Sequence, residues 1–214
     1  DSSYSQLYFV NLEKKGTYPK EVESAVNYLK SIDLNFDKPT RDYDKKFYKL
    51  CESDKLNTDP LLCLRCRISK AIFFECKHIY DNNKESIDLF ELSRFALVDD
   101  GRKHLRIRVG SGKIKKHLIN FLFLENQLQN FKIPIFLEII KTFDYERSNL
   151  NTWTKRIFRG DSVIKNYMTE CGIKFIKTWA KLADTSSKRI KNSLIHYGIN
   201  KDLLEDMICL HESY

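Results

Sequence analysis

The sequence has few of the residues that interrupt regular secondary structure, with only four prolines and seven glycines among 214 residues. This scarcity excludes collagen-like sequence and long Pro/Gly linkers. Long hydrophobic runs are also missing, since the longest lie around 121–124 and 133–136. We therefore expect no transmembrane helix and no secretory signal peptide. Hydrophobic residues at 42% and charged residues at 31% indicate an ordered globular protein.

Recognisable catalytic motifs are missing as well. The five histidines are scattered, and neither Gly-x-Ser-x-Gly nor His-Glu-x-x-His occurs. Gly110-Ser-Gly-Lys113 is only part of a phosphate-binding loop, because the longer Gly-rich frame and the hydroxyl residue after the lysine are both absent. As a basic loop it could still contact a nucleic-acid backbone. We expect a protein that is not an enzyme and has neither a cofactor nor a small-molecule ligand.

The cysteines have the residue types of a zinc site but not the local structure that such a site needs. A chain of this length forms a core without disulfides, so we expect reduced thiols in a cytoplasmic compartment. Cys63, Cys66, Cys76 and His78 are possible zinc ligands. However, Cys63 and Cys66 fall within a continuous helical pattern that has no Gly or Pro to form a knuckle. We therefore predict no metal, although the residue types keep that question open.

The apolar spacing predicts an all-α, multi-helical fold. Thr17-Tyr18-Pro19-Lys20-Glu21 has the features of a helix start, with a proline just inside and an acid in the first turn. The alternation at 104–109 fits either a short strand or an irregular helix before the glycine loop. Further helices are predicted over 42–51, 59–80, 84–98, 114–130, 133–142, 148–158, 161–170, 172–183, 186–197 and 200–210.

Positive charge is concentrated in one part of the chain. Residues 1–100 carry 16 Lys and Arg against 18 Asp and Glu, whereas residues 101–200 carry 20 against 7. We therefore divide the chain into a neutral N-terminal region, 1–100, and a basic region, 101–214. Such a block is typical of a polyanion binder, most simply nucleic acid, although an acidic protein, a membrane surface or a merely solvated face would also accommodate it. The basic run at its start includes Arg106, Arg108, Lys113, Lys115 and Lys116.

A second basic segment combines cations with a pair of aromatic residues. Residues 133–164 predict an apolar helix, a polar turn and a second helix, with Phe143 and Trp153 fixing the turn between them. Lys155, Arg156 and Arg159 fall largely on the side of the second helix away from the core. Phe143-Asp144, Ser148, Thr152-Trp153 and Arg156-Ile157 resemble region 2 of bacterial RNA polymerase sigma factors, in particular the divergent sigma-like proteins of cyanobacteria. The resemblance implies that Trp153 and its neighbours support contact with the promoter −10 element.

Residues 179–194 have the pattern of a helix-turn-helix. Ala180 and Ala183 permit a close helix crossing, and 184–186 form the turn. The second helix carries potential donors to phosphates and base edges: Lys188, Arg189, Lys191 and Asn192. The segment is similar to the promoter-reading helix-turn-helix of the sigma family. A helical hairpin with a solvated basic face remains the alternative.

Together these features predict a DNA-binding, sigma-like transcription factor that acts on transcription initiation. The implied partners are promoter DNA and core RNA polymerase. One alternative is a non-catalytic helical scaffold that docks on an acidic protein partner, and another is an RNA-binding protein.

Overall fold

The structure, a computed structural model, describes residues 2–32, 39–109, 113–126, 133–173, 185–196, 198 and 200–212. The chain forms two compact units, Asp1–Ile173 and Lys174–Tyr214. The described part is mainly helical, which confirms the predicted class at that level, and it also contains two antiparallel two-stranded sheets.

Fourteen helices and strands make up the described parts of the two units. The first unit begins with a short 3-10 turn, Ser2–Tyr4, and continues with β1 (Gln6–Asn11), β2 (Gly16–Glu21), α1 (Glu23–Ser31), α2 (Thr40–Ser53), α3 (Asp59–Asp81), α4 (Leu89–Ala96), β3 (His104–Val109), β4 (Lys113–Leu118), α5 (Phe121–Asn126), α6 (Ile135–Thr142), α7 (Leu150–Gly160) and α8 (Ser162–Glu170). The second unit contains α9 (Ser187–His196) and α10 (Lys201–Glu212).

The long helix α3 is the centre of the first unit. Helices α1, α2, α4, α6 and α7 and strand β1 all contact it. Leu61, Leu64, Ile68 and Ile72 are each about 1% exposed. Pro60 is compatible with the first turn because the N–H it lacks would have no intrahelical partner there. Burial on nearly all sides makes α3 the frame that positions the other helices.

The change of composition near residue 100 does not coincide with a boundary between compact units. Arg65 of α3 is 2% exposed, and its Nε donates to Asp99 Oδ2 at 2.8 Å. Its Nη1 also donates to the Arg102 carbonyl at 2.9 Å. This pair anchors the start of the basic region to the core, so the two sides of the compositional border belong to one unit.

The predicted helix start at Thr17–Glu21 is wrong, because these residues form β2. β2 pairs with β1, with Pro19 opposite Tyr8, and helix α1 begins only at Glu23. Proline is tolerated because each strand of a two-stranded sheet has one edge without a ladder partner. The Tyr8 N–H donates to Ser69 Oγ of α3 at 2.9 Å, which ties the hairpin to the core.

The helix predicted over 114–130 is also wrong at its start. Residues 113–118 form β4, which pairs with β3, so the strand alternative for 104–109 is correct. Helix α5 begins at Phe121, where Asn120 Oδ1 accepts the Phe123 N–H at 2.8 Å.

The helix predicted over 84–98 is shorter than expected, because Asp88 caps α4 by accepting the Phe90 N–H at 2.7 Å.

Most other helix predictions agree with the structure to within about two residues at each end. Capping explains two of the starts: Asn149 accepts the Thr152 N–H before α7, and Asp161 accepts the Val163 and Ile164 N–H groups before α8. Helices α9 and α10 correspond to the predicted 186–197 and 200–210. The helix predicted over 172–183 lies almost wholly outside the described residues.

Candidate nucleic-acid interface

Strands β3 and β4 form a basic antiparallel ribbon, here called the β3–β4 ribbon (104–109 and 113–118). Between residues 101 and 118 the sequence has seven Lys or Arg residues, two histidines and no Asp or Glu. The register places Arg106 opposite Lys116 and Arg108 opposite Ile114. Because directly opposite residues project to the same face of a strand pair, Arg106 and Lys116 share one face of the ribbon. The side chains of Arg108, Lys113 and Lys115 lie outside the described part.

Two like charges face each other on this ribbon. Arg106 and Lys116 are both exposed, and neither makes an ion pair within the described part of the chain. The nearby carboxylates act only at the base of the ribbon, where Asp59 Oδ1 lies 2.6 Å from Lys103 Nζ and Asp100 Oδ2 lies 3.4 Å from Arg102 Nε. Like charges directly opposite destabilise a strand pair. The ribbon therefore carries positive charge that no described acidic side chain offsets.

The turn between α6 and α7 brings the two predicted aromatic residues together. Phe143 is 6% exposed, and its ring centroid lies 6.5 Å from that of Trp153. Trp153 Nε1 donates to Thr142 Oγ1 at 3.1 Å, which fixes the indole across the turn. Asp144 Oδ1 accepts the backbone N–H groups of Glu146 and Arg147. The turn is thus ordered by aromatic packing and side-chain capping.

The three predicted cations of α7 have different surroundings. The Arg156 guanidinium lies 5.0 Å from the centre of the Trp153 ring and pairs with no carboxylate among the described residues. Lys155 Nζ lies 3.5 Å from Glu75 Oε2, and Arg159 Nη2 lies 2.5 Å from Glu75 Oε1. Glu75 is fully buried on α3. Two cations thus share one carboxylate, which offsets part of their charge.

Sequence reasoning missed Glu75. The available signal was an acid in the middle of a helix that is otherwise apolar at the neighbouring positions, since a buried carboxylate requires a cationic partner. The identity of that partner depends on how α7 packs against α3, with Thr154 and Phe158 buried between the two helices.

Helix α9 presents the remaining predicted cations in the second unit. Lys188, Arg189, Lys191 and Asn192 are all exposed, whereas Ile190 and Leu194 are half-buried. Helix α9 contacts α10. The other part of the predicted helix-turn-helix, residues 179–184, lies outside the described residues, so that motif stays a prediction.

A polar cleft of about 540 Å³ lies between α3 and α7, and sequence reasoning did not find it. We call it the α3–α7 cleft. Its lining includes Arg67, Lys70 and Phe74 from one face of α3, and Asn151, Thr152 and Lys155 from the start of α7. The spacing of residues 67, 70 and 74 along a helix was visible in the sequence, but its proximity to α7 was not.

The candidate zinc ligands do not converge. Cys63, Cys66 and Cys76 are buried along α3, whereas His78 is exposed. Burial raises the pKa of the Cys66 thiol to about 12, with a smaller contribution from Asp99. Across the described ranges no group of three or more His, Cys, Asp or Glu side chains could hold a metal ion. These thiols act as small apolar side chains of the core.

Comparisons of the chain with protein-family models, with curated proteins and with solved structures find no match. Among the described helices, none combines the length and the hydrophobicity that crossing a bilayer requires.

Proposed function

We propose that this chain is a non-enzymatic DNA-binding protein and that the β3–β4 ribbon is its principal contact with the duplex. The observation that carries the proposal is the cross-strand pair Arg106 and Lys116, two exposed cations held side by side, neither of which pairs with a carboxylate of the described residues. A protein surface of this kind is destabilised when free and is relieved when a polyanion lies against it.

The shape of the ribbon supports a duplex as the polyanion. The major groove of B-DNA admits a two-stranded β-ribbon, and guanidinium and ammonium groups donate to phosphates and to guanine. Among the described elements, β3 and β4 make their main contacts with each other. The ribbon therefore has surface available for a partner.

Helices α7 and α9 are proposed as additional DNA contacts, each within its own unit. On α7, Arg156 is the strongest candidate because its side chain is exposed and has no ion-pair partner among the described residues. Lys155 and Arg159 contribute a smaller net charge after pairing with Glu75. On α9, Lys188, Arg189, Lys191 and Asn192 are proposed to contact phosphates or base edges.

The proposed biological role is sigma-like action on transcription initiation. The support for it is the resemblance of residues 143–157 to sigma region 2, together with the contact between Phe143 and Trp153 across the turn. Co-purification of the tagged chain with core RNA polymerase, compared with a Trp153→Ala variant, tests this role separately from DNA binding. If polymerase is not retained by the unaltered chain, the sigma-like role is wrong even where DNA binding stands.

The DNA-binding proposal is tested by fluorescence anisotropy with a labelled duplex. The double variant, which carries both Arg106→Gln and Lys116→Gln, removes both facing charges from the ribbon. Lys20→Gln is the matched control, because Lys20 is an exposed lysine on the other two-stranded sheet. We expect the ribbon variant to bind the duplex at least about tenfold more weakly and the control to bind normally. If the unaltered chain does not bind DNA but binds an acidic protein, the DNA-binding proposal is wrong, and the alternative of a scaffold that docks on an acidic partner replaces it.

A further inference from the structure

The α3–α7 cleft has the construction of an anion site. Arg67, Lys70 and Phe74 repeat at spacings of three and four along α3, so they line one side of the cleft together. On the other side, Asn151 and Thr152 belong to the first turn of α7. Thr40, the first residue of α2, also lines the cleft. Two helix N-termini therefore lie at the same cavity. At α7 the Thr152 N–H already donates to Asn149 Oδ1, so the Leu150 and Asn151 N–H groups are the ones without an intrahelical acceptor.

A buried guanidinium at the cleft is weakly paired. Arg67 is 8% exposed, and its Nε has no hydrogen-bond partner within the described part of the chain. Nε forms a long ion pair with Asp44 Oδ1 at 3.6 Å, and that oxygen accepts a hydrogen bond from the Tyr4 hydroxyl at 2.8 Å. A buried guanidinium is stabilised by further negative partners. An anion bound in the cleft that Arg67 lines would be such a partner.

Positive charge exceeds negative charge around the cleft. None of the described residues that line it is an Asp or Glu. The two carboxylates behind it, Asp44 and Glu75, are buried and already pair with three cations: Arg67 with Asp44, and Lys155 and Arg159 with Glu75. Lys70 Nζ donates to Ser3 Oγ at 2.8 Å and has no carboxylate partner among the described residues. Burial lowers the pKa of Lys70 most, and the charge of Arg67 lowers it further.

Phe74 adds an apolar surface to this positive site. Its side chain is 51% exposed at the rim of the cleft, next to the stacked rings of Tyr8 and Phe73. An exposed phenyl ring beside cations is the combination with which proteins hold a nucleotide, the base on the ring and the phosphate on the cations.

We propose that the α3–α7 cleft binds a nucleotide, with its phosphate held by Arg67, Lys70 and the N-terminus of α7 and its base lying on Phe74. The site shares only Lys155 with the interface proposed above and does not depend on duplex binding by the ribbon. The same chemistry is found in a free mononucleotide and in the end of a single-stranded nucleic acid, so the experiment includes both sources.

The test is isothermal titration of the full chain with three probes: inorganic phosphate, adenosine 5′-monophosphate and a short 5′-phosphorylated single-stranded oligonucleotide. The principal variant is Lys70→Glu, which places a carboxylate in the cleft. The matched control is Lys77→Glu, an exposed lysine two turns further along α3. Lys70→Gln serves as the second variant, and thermal unfolding of each variant establishes that it is folded.

We expect saturable binding of the nucleotide probes, weakened at least about tenfold by Lys70→Glu and unchanged by Lys77→Glu. Phe74→Ala should weaken binding of adenosine monophosphate about tenfold, the loss that one base–aromatic stacking contact gives, and should leave phosphate binding unchanged. If the oligonucleotide binds at least about tenfold more tightly than the mononucleotide, the ligand is part of a nucleic acid, whereas equal affinity indicates a free nucleotide.

The proposal is overturned if none of the three probes binds saturably up to millimolar concentration, or if the folded Lys70 variants bind as the unaltered chain does. The Arg106→Gln and Lys116→Gln ribbon variant should retain full mononucleotide binding. Loss of duplex binding with unchanged mononucleotide binding in this variant would show that the two sites are independent, so one proposal can be wrong while the other is right.

Discussion

Arg106 and Lys116 lie directly opposite each other in the β3–β4 ribbon, both exposed and neither ion-paired within the described residues. Replacing Arg106 by Glu converts this repulsion into a cross-strand attraction. We expect Arg106→Glu to raise the free energy of unfolding by roughly 0.5 kcal/mol. Urea unfolding at low ionic strength measures it.

The same substitution should lower affinity for DNA, so stability and binding change in opposite senses. Lys20→Glu on the β1–β2 sheet serves as the control, because its cross-strand neighbour is Leu7 and no like charge faces it. Equal stability changes for the two variants would argue against repulsion within the ribbon.

Glu75 anchors α7 to the core by accepting from Arg159 Nε at 2.7 Å. Glu75→Gln keeps the shape but removes the charge that two cations share. We expect the free energy of unfolding to fall by about 2 kcal/mol, because charged hydrogen bonds to a buried group are lost. Glu91→Gln, which removes the carboxylate of a surface pair with Arg94, is the control and should cost less than about 0.5 kcal/mol.

If Lys155 and Arg159 contact DNA, their release from Glu75 leaves duplex affinity equal or higher in the Glu75→Gln variant. Weaker duplex binding by the folded Glu75→Gln variant would show instead that the ion pairs position α7 for binding.

Burial raises the pKa of Asp44 to about 6, against the opposing effects of the Arg67 charge and the Tyr4 hydroxyl. The folded protein therefore holds this proton more tightly than the unfolded chain, in which aspartate titrates near 3.8. The stability that Asp44 contributes is complete below about pH 4 and is lost as the pH rises through about 6. Asn does not titrate. We therefore expect the free energy of unfolding of the Asp44→Asn variant, relative to that of the unaltered chain, to rise by roughly 2 to 3 kcal/mol as the pH increases from about 4 to above about 6.

Paired urea titrations of the two proteins across this pH range measure the difference. A difference that stays constant with pH would contradict the raised pKa. A difference that changes in the opposite direction would mean that the pairing with Arg67 outweighs burial.

Cysteine reactivity should divide into two classes. Cys51, Cys63, Cys66 and Cys76 are buried, whereas Cys171 is half-buried and Cys209 is exposed. Burial also raises the pKa of Cys51 to about 12, so few of these thiols ionise at neutral pH. Mass spectrometry after brief alkylation of the native protein should find label at Cys171 and Cys209. Rapid labelling of Cys66 would indicate that α3 is not packed as described.

The sequence was sufficient to predict most helices because their apolar spacing is regular. For α3, the continuous helical pattern around Cys63 and Cys66 contains no Gly or Pro that would interrupt it, whereas the caps Asn149 and Asp161 are evident only in the structure. In β2, by contrast, Pro19 and Glu21 match the sequence pattern of a helix start, and only the pairing with β1 shows that the segment is a strand. In β4, the two apolar residues Ile114 and Leu118 are four positions apart, a spacing that fits a helix, and only pairing with β3 reveals the strand.

The candidate sites were predictable only where one segment supplies them. The ribbon cations lie close together in sequence, and Arg156 lies one helical turn from Trp153. Glu75 and Arg159 are separated by 84 positions, and Arg67 lines the same cleft as the start of α7, which lies a similar interval along the chain. Such contacts depend on the packing of α7 against α3, which no local pattern encodes.

The central claim, that the β3–β4 ribbon is a polyanion-binding surface, is tested most directly by the salt dependence of duplex binding. The slope of log affinity against log salt counts the phosphate contacts at roughly 0.9 each. We predict that the Arg106→Gln and Lys116→Gln variant has a slope shallower by about two than that of the unaltered chain, with Lys20→Gln unchanged. Identical slopes for all three proteins would contradict the account.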